Sequence, residues 1–202
     1  MAIKFQYNKT SLQILDKQLK IRLKALPTLQ NKEAALRVEV KKAKNAAEEL
    51  DNKLEQKMKS YDKVMELWEE FDNNLVKIED VDLSVKKIAG VKTPILEDVR
   101  FEVDDFSVFN KPIWYLDGID IVKQLAQIAI EKEVFIRKME LLEYARKKTT
   151  QKVNLYEKVQ IPGFEDAIRK IKRFLEDEEN LSKAAQKIVK ARIEKQQMEE
   201  SV

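Results

Sequence analysis

From Leu12 the apolar residues of this chain advance by threes and fours and keep that rhythm for about 60 residues. The stripe runs through Leu12, Leu15, Leu19, Leu23, Leu26 and Leu29, then Leu36, Val40, Ala43, Ala47, Leu50, Leu54, Met58, Tyr61, Met65, Trp68, Phe71 and Leu75. Only the step at Glu33 lacks an apolar side chain. Polar residues such as Lys41-Lys42 and Glu48-Glu49 fill the other faces. A 3-4 spacing held this long is the seam of a coiled coil. It predicts a helix over about residues 10–71, roughly 90 Å long at 1.5 Å per residue. A second pattern begins near Asp120 with Ile121, Leu125, Ile128, Met139, Leu142, Ala145 and Thr149. It continues through Val153, Tyr156, Val159 or Gln160, Phe164, Ala167 or Ile168, Ile171, Leu175, Leu181, Ala185, Ile188 and Ile193. It predicts a helix over about 119–197, roughly 110 Å long.

Composition agrees with long helices: 37% of residues are charged and only 3 are glycine. The chain has no Cys and no His. That excludes disulfides, thiol nucleophiles, Cys or His zinc sites and imidazole acid–base chemistry. No Walker loop, glycine-rich phosphate cradle or nucleophile–base pair is present. The N-terminus lacks a signal-peptide core and no stretch is apolar enough to span a bilayer, so a soluble, intracellular protein without cofactor or metal is expected. The run Glu176-Asp177-Glu178-Glu179 reads as a solvated helix face, because its spacing does not converge carboxylates on an ion.

Between the two patterns, residues 72–118 change character. Helical spacing stops at Asp72-Asn73-Asn74. Val81, Leu83 and Val85 alternate with polar residues, as do Val99, Phe101 and Val103, around Ala89-Gly90-Val91-Lys92-Thr93-Pro94. This predicts a β-hairpin. Phe106, Phe109, Pro112, Ile113, Trp114 and Tyr115 form an apolar-aromatic cluster before Asp117-Gly118. It either packs on the helix ends or serves as a docking patch.

Two long helices joined by an insertion bury their stripes against each other, and they must run antiparallel. The expected fold is mainly α: one elongated domain over 1–202, an antiparallel, kinked coiled coil with a short hairpin-containing insertion. The first ten residues read as a loose arm, with Asn8, Thr10 or Ser11 as candidate helix caps. Pro27 and Pro162 each predict a bend. Pairing counted from Phe71 and Gly118 places these two prolines opposite one another. Residues 1–32 carry seven Lys/Arg against Asp16 alone, residues 62–120 fifteen Asp/Glu against seven Lys/Arg, and residues 183–197 five Lys/Arg against Glu194. Folding back therefore gives a positive end and a negative end. The small net charge of +3 and the lack of a basic-aromatic groove argue against nucleic acid. Asn154 and Thr150, on an otherwise apolar face, read as register-setting or water-facing residues.

Three segments carry a family resemblance. Lys152-Val153-Asn154-Leu155-Tyr156-Glu157, followed by Val159, Ile161-Pro162, Ile168 and Ile171, is the most specific. Gly90-Val91-Lys92-Thr93-Pro94 is next, and Asn8-Lys9-Thr10 with Leu29 to Leu36 is third. Together they resemble the D subunit of the V-type ATPases and ATP synthases, the central rotor shaft. The chain departs from that pattern at Lys9, where the family has Pro, at Pro27, at Gly163, and in keeping only Lys32 of a later basic motif. The resemblance implies a non-catalytic subunit that couples ATP hydrolysis or synthesis in a ring of A and B subunits to rotation of a membrane ring and ion transport. It implies the F subunit of the central stalk, the A and B subunits and a membrane-ring-associated stalk subunit as partners. It also implies no direct membrane insertion and a cytoplasmic, membrane-peripheral location. Asn154, Glu157, Lys187, Lys190 and Arg192 are the expected A/B-ring contacts. Trp68, Gly90, Val91, Pro94 and Ile121 are the expected F-subunit contacts. A static coiled-coil scaffold or a type III export component is the competing reading, against which the hairpin argues.

Overall fold

The computed structural model describes residues 3–61, 68, 70–72, 75–106 and 111–198, with helix backbone to Glu200. Helix α1 spans Lys9–Ser60, strands β1 and β2 span Val76–Ile88 and Val91–Val103, and helix α2 spans Trp114–Leu155. A π-helical turn, Tyr156–Gln160, joins α2 directly to α3, Ile161–Glu200. The expected class holds: long helices flank a two-stranded antiparallel hairpin. The chain forms two compact units, Met1–Gln30 with Thr150–Val202, and Asn31–Thr149. The end of α1 differs from expectation, since it stops at Ser60 and Tyr61 is already a turn. Met65, the Asn73-Asn74 stop and Phe109 lie outside the described residues.

In the first unit, Leu15 of α1 packs with Phe164, Ala167, Ile168 and Ile171 of α3, flanked by Ile3, Phe5, Leu12, Leu19 and Leu175. Asn8 caps α1: its Oδ1 accepts the Ser11 N–H at 2.7 Å. That satisfies one of the orphan donors at the helix start. The preceding residues are not the loose arm expected from sequence. Ile3 meets Gly163, where an added Cβ would lie 3.1 Å from its Cδ1. Tyr7 lies against Phe174 with ring centroids 4.9 Å apart. Apolar burial of Ile3 and Phe5, with the ring contact of Tyr7, supplies the driving force that orders this arm.

One predicted stripe position is displaced. Leu23 is exposed, and its neighbour Arg22 turns toward the opposing helix instead. Arg22 Nε donates to Gln160 Oε1 at 2.6 Å. The guanidinium lies 4.4 Å from the Phe164 ring centroid and 6.0 Å from that of Tyr156. Its Nη1 also donates to the Gln18 carbonyl at 3.1 Å, and a planar cation beside two rings with these hydrogen bonds is a favourable way to place arginine in a seam.

This contact also resets the expected register. Arg22 faces Gln160, so Pro27, five residues on, falls near Leu155 and not opposite Pro162. α1 continues through Pro27 as one helix. Pro162 is accommodated differently. It has no N–H for the carbonyl four residues back, and its ring crowds that carbonyl. The chain widens just before it, where the Ile161 N–H bonds to the Tyr156 carbonyl, five residues earlier. Such single π turns are a recognised way to absorb a local misfit.

In the second unit, Leu36, Ala43, Ala47 and Leu50 are the buried face of α1, and Leu142 and Thr149 are buried on α2. The pairings Arg146–Glu33 at 3.8 Å, Lys132–Asp51 at 2.6 Å and Lys57 Nζ–Gln124 Oε1 at 2.8 Å fix the antiparallel sense, because one number falls as the other rises. The apolar gap at Glu33 is thereby explained. Its side chain keeps only 14% of its exposure and meets both Arg37, at 2.9 Å, and Arg146. Arg146 is itself held by Glu143 at 2.6 Å, and that hydrogen bond lowers the Glu143 pKa and raises that of Arg146.

The hairpin has 13 residues in each strand. Register shifts after Ile78 and after Asp82 mark two bulges, devices that add twist to a ribbon. At its base Phe71, Leu75, Tyr115 and Ile119 form a second core, with Trp68, Val76, Val103, Phe106 and Trp114 against it. At its turn Ala89 and Gly90 both have positive φ, 49° and 81°, as a two-residue type I′ hairpin demands. A Cβ on Gly90 would lie 3.6 Å from Lys32 Nζ, so the turn reaches back to the middle of α1.

Two outcomes are expected. Ile171→Ala, at a fully buried seam position, lowers stability by about 2–5 kcal/mol in chemical denaturation. Ala89→Gly relieves a left-handed side-chain residue and raises stability by about 0.5–1 kcal/mol, read as an upward shift in the denaturation midpoint.

Candidate interaction surfaces

α3 outlasts its partner. Every described residue from 176 to 198 is exposed, yet the apolar rhythm continues. Leu181 is 73% exposed, and Ile188, Val189 and Ile193 are also exposed. Helical periodicity places Leu181, Ala185, Ile188 and Arg192 in line on one face, with Lys187 and Lys190 on the opposite face. Lys190 pairs loosely with Glu194 at 3.9 Å, and Lys183 with Glu179 at 2.7 Å. The Lys183 hydrogen bond holds the Glu179 carboxyl below its ordinary range. Lys187 and Arg192 make no ion pair among the described residues. This end of α3 is thus an amphipathic, basic helix with its apolar stripe uncovered in the unit.

Asn154 and Glu157 sit where α2 passes into the π turn, and both are exposed. Asn154 therefore does not lie on the packed face, while Tyr156, two residues on, turns inward toward Arg22. Thirty residues of helix separate Glu157 from Lys187, roughly 45 Å. The five expected ring contacts all lie in one unit but form two separate patches.

The five expected F-subunit contacts also divide. Trp68 belongs to the aromatic cluster at the hairpin base, edge-on to Phe71 at 5.1 Å and to Trp114 at 5.8 Å. Ile121 is half-buried just beyond it on α2. Gly90, Val91 and Pro94 lie at the other end of the ribbon, about 43 Å away at 3.3 Å per residue. The base cluster both packs and presents a surface. The Tyr115 hydroxyl donates to the Glu70 carbonyl, whereas Ile113 and Leu116 beside it are exposed. The Trp114 Nε1 is buried without an acceptor.

The shifted carboxylates among the described residues all move the same way. The carboxylates with shifted acidity, Glu143, Asp166 and Glu179, are each lowered first by a hydrogen bond from a basic neighbour. A general acid at neutral pH needs the opposite shift. Among the described residues no group of three or more acidic side chains is placed to hold a metal ion, and no helix is long and apolar enough to cross a membrane. Sequence reasoning located the basic helix end and the hairpin. It missed Arg22 as a seam residue, for which the only signal was a lone arginine beside the stripe position.

The chain is similar along most of its length to proteins of one kind. The family model for the ATP synthase D subunit matches residues 11–191. A protein of Borreliella burgdorferi named as the D subunit of V-type ATP synthase is 31% identical over 192 residues, covering 93% of this chain and 94% of that one. A Chlamydia pneumoniae protein of the same name is 30% identical over 203 residues, covering 96% and 95%. With helices and hairpin in the same order as the segments that carry the resemblance, the chain belongs to the ATP synthase D-subunit family.

Proposed function

We propose that this chain is the central-stalk rotor subunit of a V-type ATP synthase and has no catalytic role of its own. It couples ATP hydrolysis or synthesis in a ring of A and B subunits to rotation of a membrane ring and ion transport. It works at the cytoplasmic side of the membrane, peripheral to it, and binds no cofactor.

The observation that carries this reading is the bare end of α3. An apolar stripe of Leu181, Ala185 and Ile188 left exposed beside cations is costly in isolation and is accounted for by insertion into a protein socket. The A/B ring is the proposed socket, with Lys187, Lys190 and Arg192 at its inner wall and Asn154 and Glu157 at its mouth. The F subunit is proposed to take Trp68 and Ile121 at the hairpin base and Gly90, Val91 and Pro94 at the turn. The aromatic base beside Ile113 and Leu116 faces the membrane-ring-associated stalk subunit.

Co-expression with the matching A, B and F subunits tests the reading. One copy of the chain should purify with three A and three B subunits and with F; a chain that runs alone or as a self-sufficient dimer rejects it. The double reversal Lys187→Glu, Lys190→Glu should slow association with the ring by about tenfold or more at low salt, with the effect shrinking at high salt. Leu181→Asp with Ile188→Asp should abolish ring association while the circular dichroism melt of the packed region stays unchanged, since both residues are exposed in the free chain.

A further inference from the structure

The two ends of the hairpin treat their charges differently. At the base, Arg100 pairs with Asp80 at 2.7 Å and Asp82 at 3.3 Å, and Lys77 pairs with Asp104 at 2.7 Å. Between Leu83 and Leu96 the ribbon carries Lys86, Lys87 and Lys92 and no acidic residue. Lys32 of α1 adds a fourth ammonium beside the turn. None of these four makes an ion pair among the described residues.

The register makes this end unfavourable in isolation. Lys87 and Lys92 are direct cross-strand partners, and like charges placed opposite one another destabilise a hairpin. The turn between them holds Ala89 at φ 49°, a conformation that disfavours a side chain. Local costs of this kind cluster where a partner offsets them.

The same face is apolar. The strand alternation puts Lys87 and Lys92 on one side with Val85, Leu83 and Leu96. Val85 is 67% exposed and Leu83 52%. The other side of the ribbon packs inward, where Thr93 is fully buried and its Oγ1 donates to the Lys86 carbonyl at 3.0 Å. The outward face is therefore an apolar strip capped by two facing lysines.

We propose that this outward face is a docking surface for an acidic protein surface with an apolar centre, carried by a neighbouring subunit of the same ATP synthase. The inference rests on the D-subunit reading and adds the chemistry that the partner must present. A polyanionic occupant fits less well. Glu97 and Asp98 follow Leu96 along the same strand, Asp98 on the opposite face beside Asp82, and at that range their negative charge still opposes a continuous phosphate surface, whether lipid or nucleic acid. A protein can set carboxylates against Lys87 and Lys92 and apolar groups against Val85.

The test uses the full chain within the co-expressed complex, with p-benzoyl-phenylalanine in place of Val85. Illumination should crosslink it to an Asp/Glu-rich segment of a protein subunit. The variant Lys87→Glu, Lys92→Glu should remove that crosslink and speed dissociation about tenfold or more at low salt, abolishing the salt dependence of this contact. Lys87→Arg, Lys92→Arg should preserve both. A crosslink only to lipid, no crosslink, or a reversal that leaves dissociation and salt dependence unchanged overturns the proposal. If the chain enters the complex and the crosslink is absent, the docking surface alone falls. If the chain does not enter the complex, the D-subunit reading falls and this surface falls with it. The identity of the crosslinked partner also decides whether Pro94, on the same face as Val85, meets the F subunit.

Discussion

A helical stripe that is narrow and very long has one efficient way to leave water, which is to lie against another stripe of the same kind. Burying one leucine stabilises by about 1.5–3 kcal/mol, and that gain recurs every three or four residues. In the first unit Leu15 meets Phe164, Ile168 and Ile171 across the seam. In the second, Leu36, Ala43, Ala47 and Leu50 face α2. Alanine at two of these positions leaves little side chain between the helices, so the backbones can approach closely. Loss of this packing would leave isolated helices that have little stability of their own in water.

The polar intrusions are tolerated because each is answered locally. Glu33 replaces a leucine in the rhythm and is met by Arg146, which is in turn tied to Glu143. Arg22 takes the place expected of Leu23 and is closed in by Gln160, Phe164 and Tyr156. The π turn and Pro162 belong to the same solution. Tyr156 and Gln160 are its first and last residues, so the segment that widens to accommodate a proline is also the one that encloses the guanidinium. An extra residue in one helical turn re-aims the side chains beyond it, and here that re-aiming puts Ile161 and Phe164 into the core.

Period and punctuation make most of the fold legible in the sequence. The 3-4 stripe marks the helices, the alternation at Val81-Leu83-Val85 marks the hairpin, and Asn8 is among the candidate caps. The properties that stay hidden are those of pairing. The register counted from Phe71 and Gly118 sets Pro27 against Pro162. Phe71 and Gly118 do meet, since a Cβ on Gly118 would lie 3.0 Å from the Phe71 ring, but α1 ends at Ser60 with a turn at Tyr61, so the count does not carry from Phe71 into the helical seam. The arm at Ile3 to Tyr7 reads as loose because its three apolar residues alternate over only five positions, too short a run to specify an element, and the surfaces that receive it, Gly163 for Ile3 and Phe174 for Tyr7, exist only in the fold. Among the candidate contacts, the residue types are legible but their grouping is not. Gly90 and Trp68 are joined in sequence by one insertion and separated in space by the length of its strands.

The pairing state of the cations carries information that composition cannot. Exposed ion pairs contribute little to stability, so their presence at Lys20–Asp16, Lys44–Glu48 and Arg100–Asp80 says mainly that those surfaces are electrically quiet. Counting charges makes the N-terminal segment basic and the middle acidic, and by that count the hairpin belongs wholly to the acidic middle. Resolved residue by residue, the hairpin is two surfaces. Its carboxylates run from the base to mid-ribbon, where Arg100 meets Asp80 and Asp82 and Lys77 meets Asp104. Its lysines gather at the turn, where none is ion-paired among the described residues. The field at the turn is therefore positive on a segment whose sequence average is negative. A partner guided by that field would be steered to the turn and not to the base. The same logic applies to α3, where Lys187 and Arg192 have no ion pair among the described residues, on a helix whose apolar stripe is also uncovered. In both places unanswered charge and exposed apolar surface coincide, and that coincidence separates an interface from a merely solvated face.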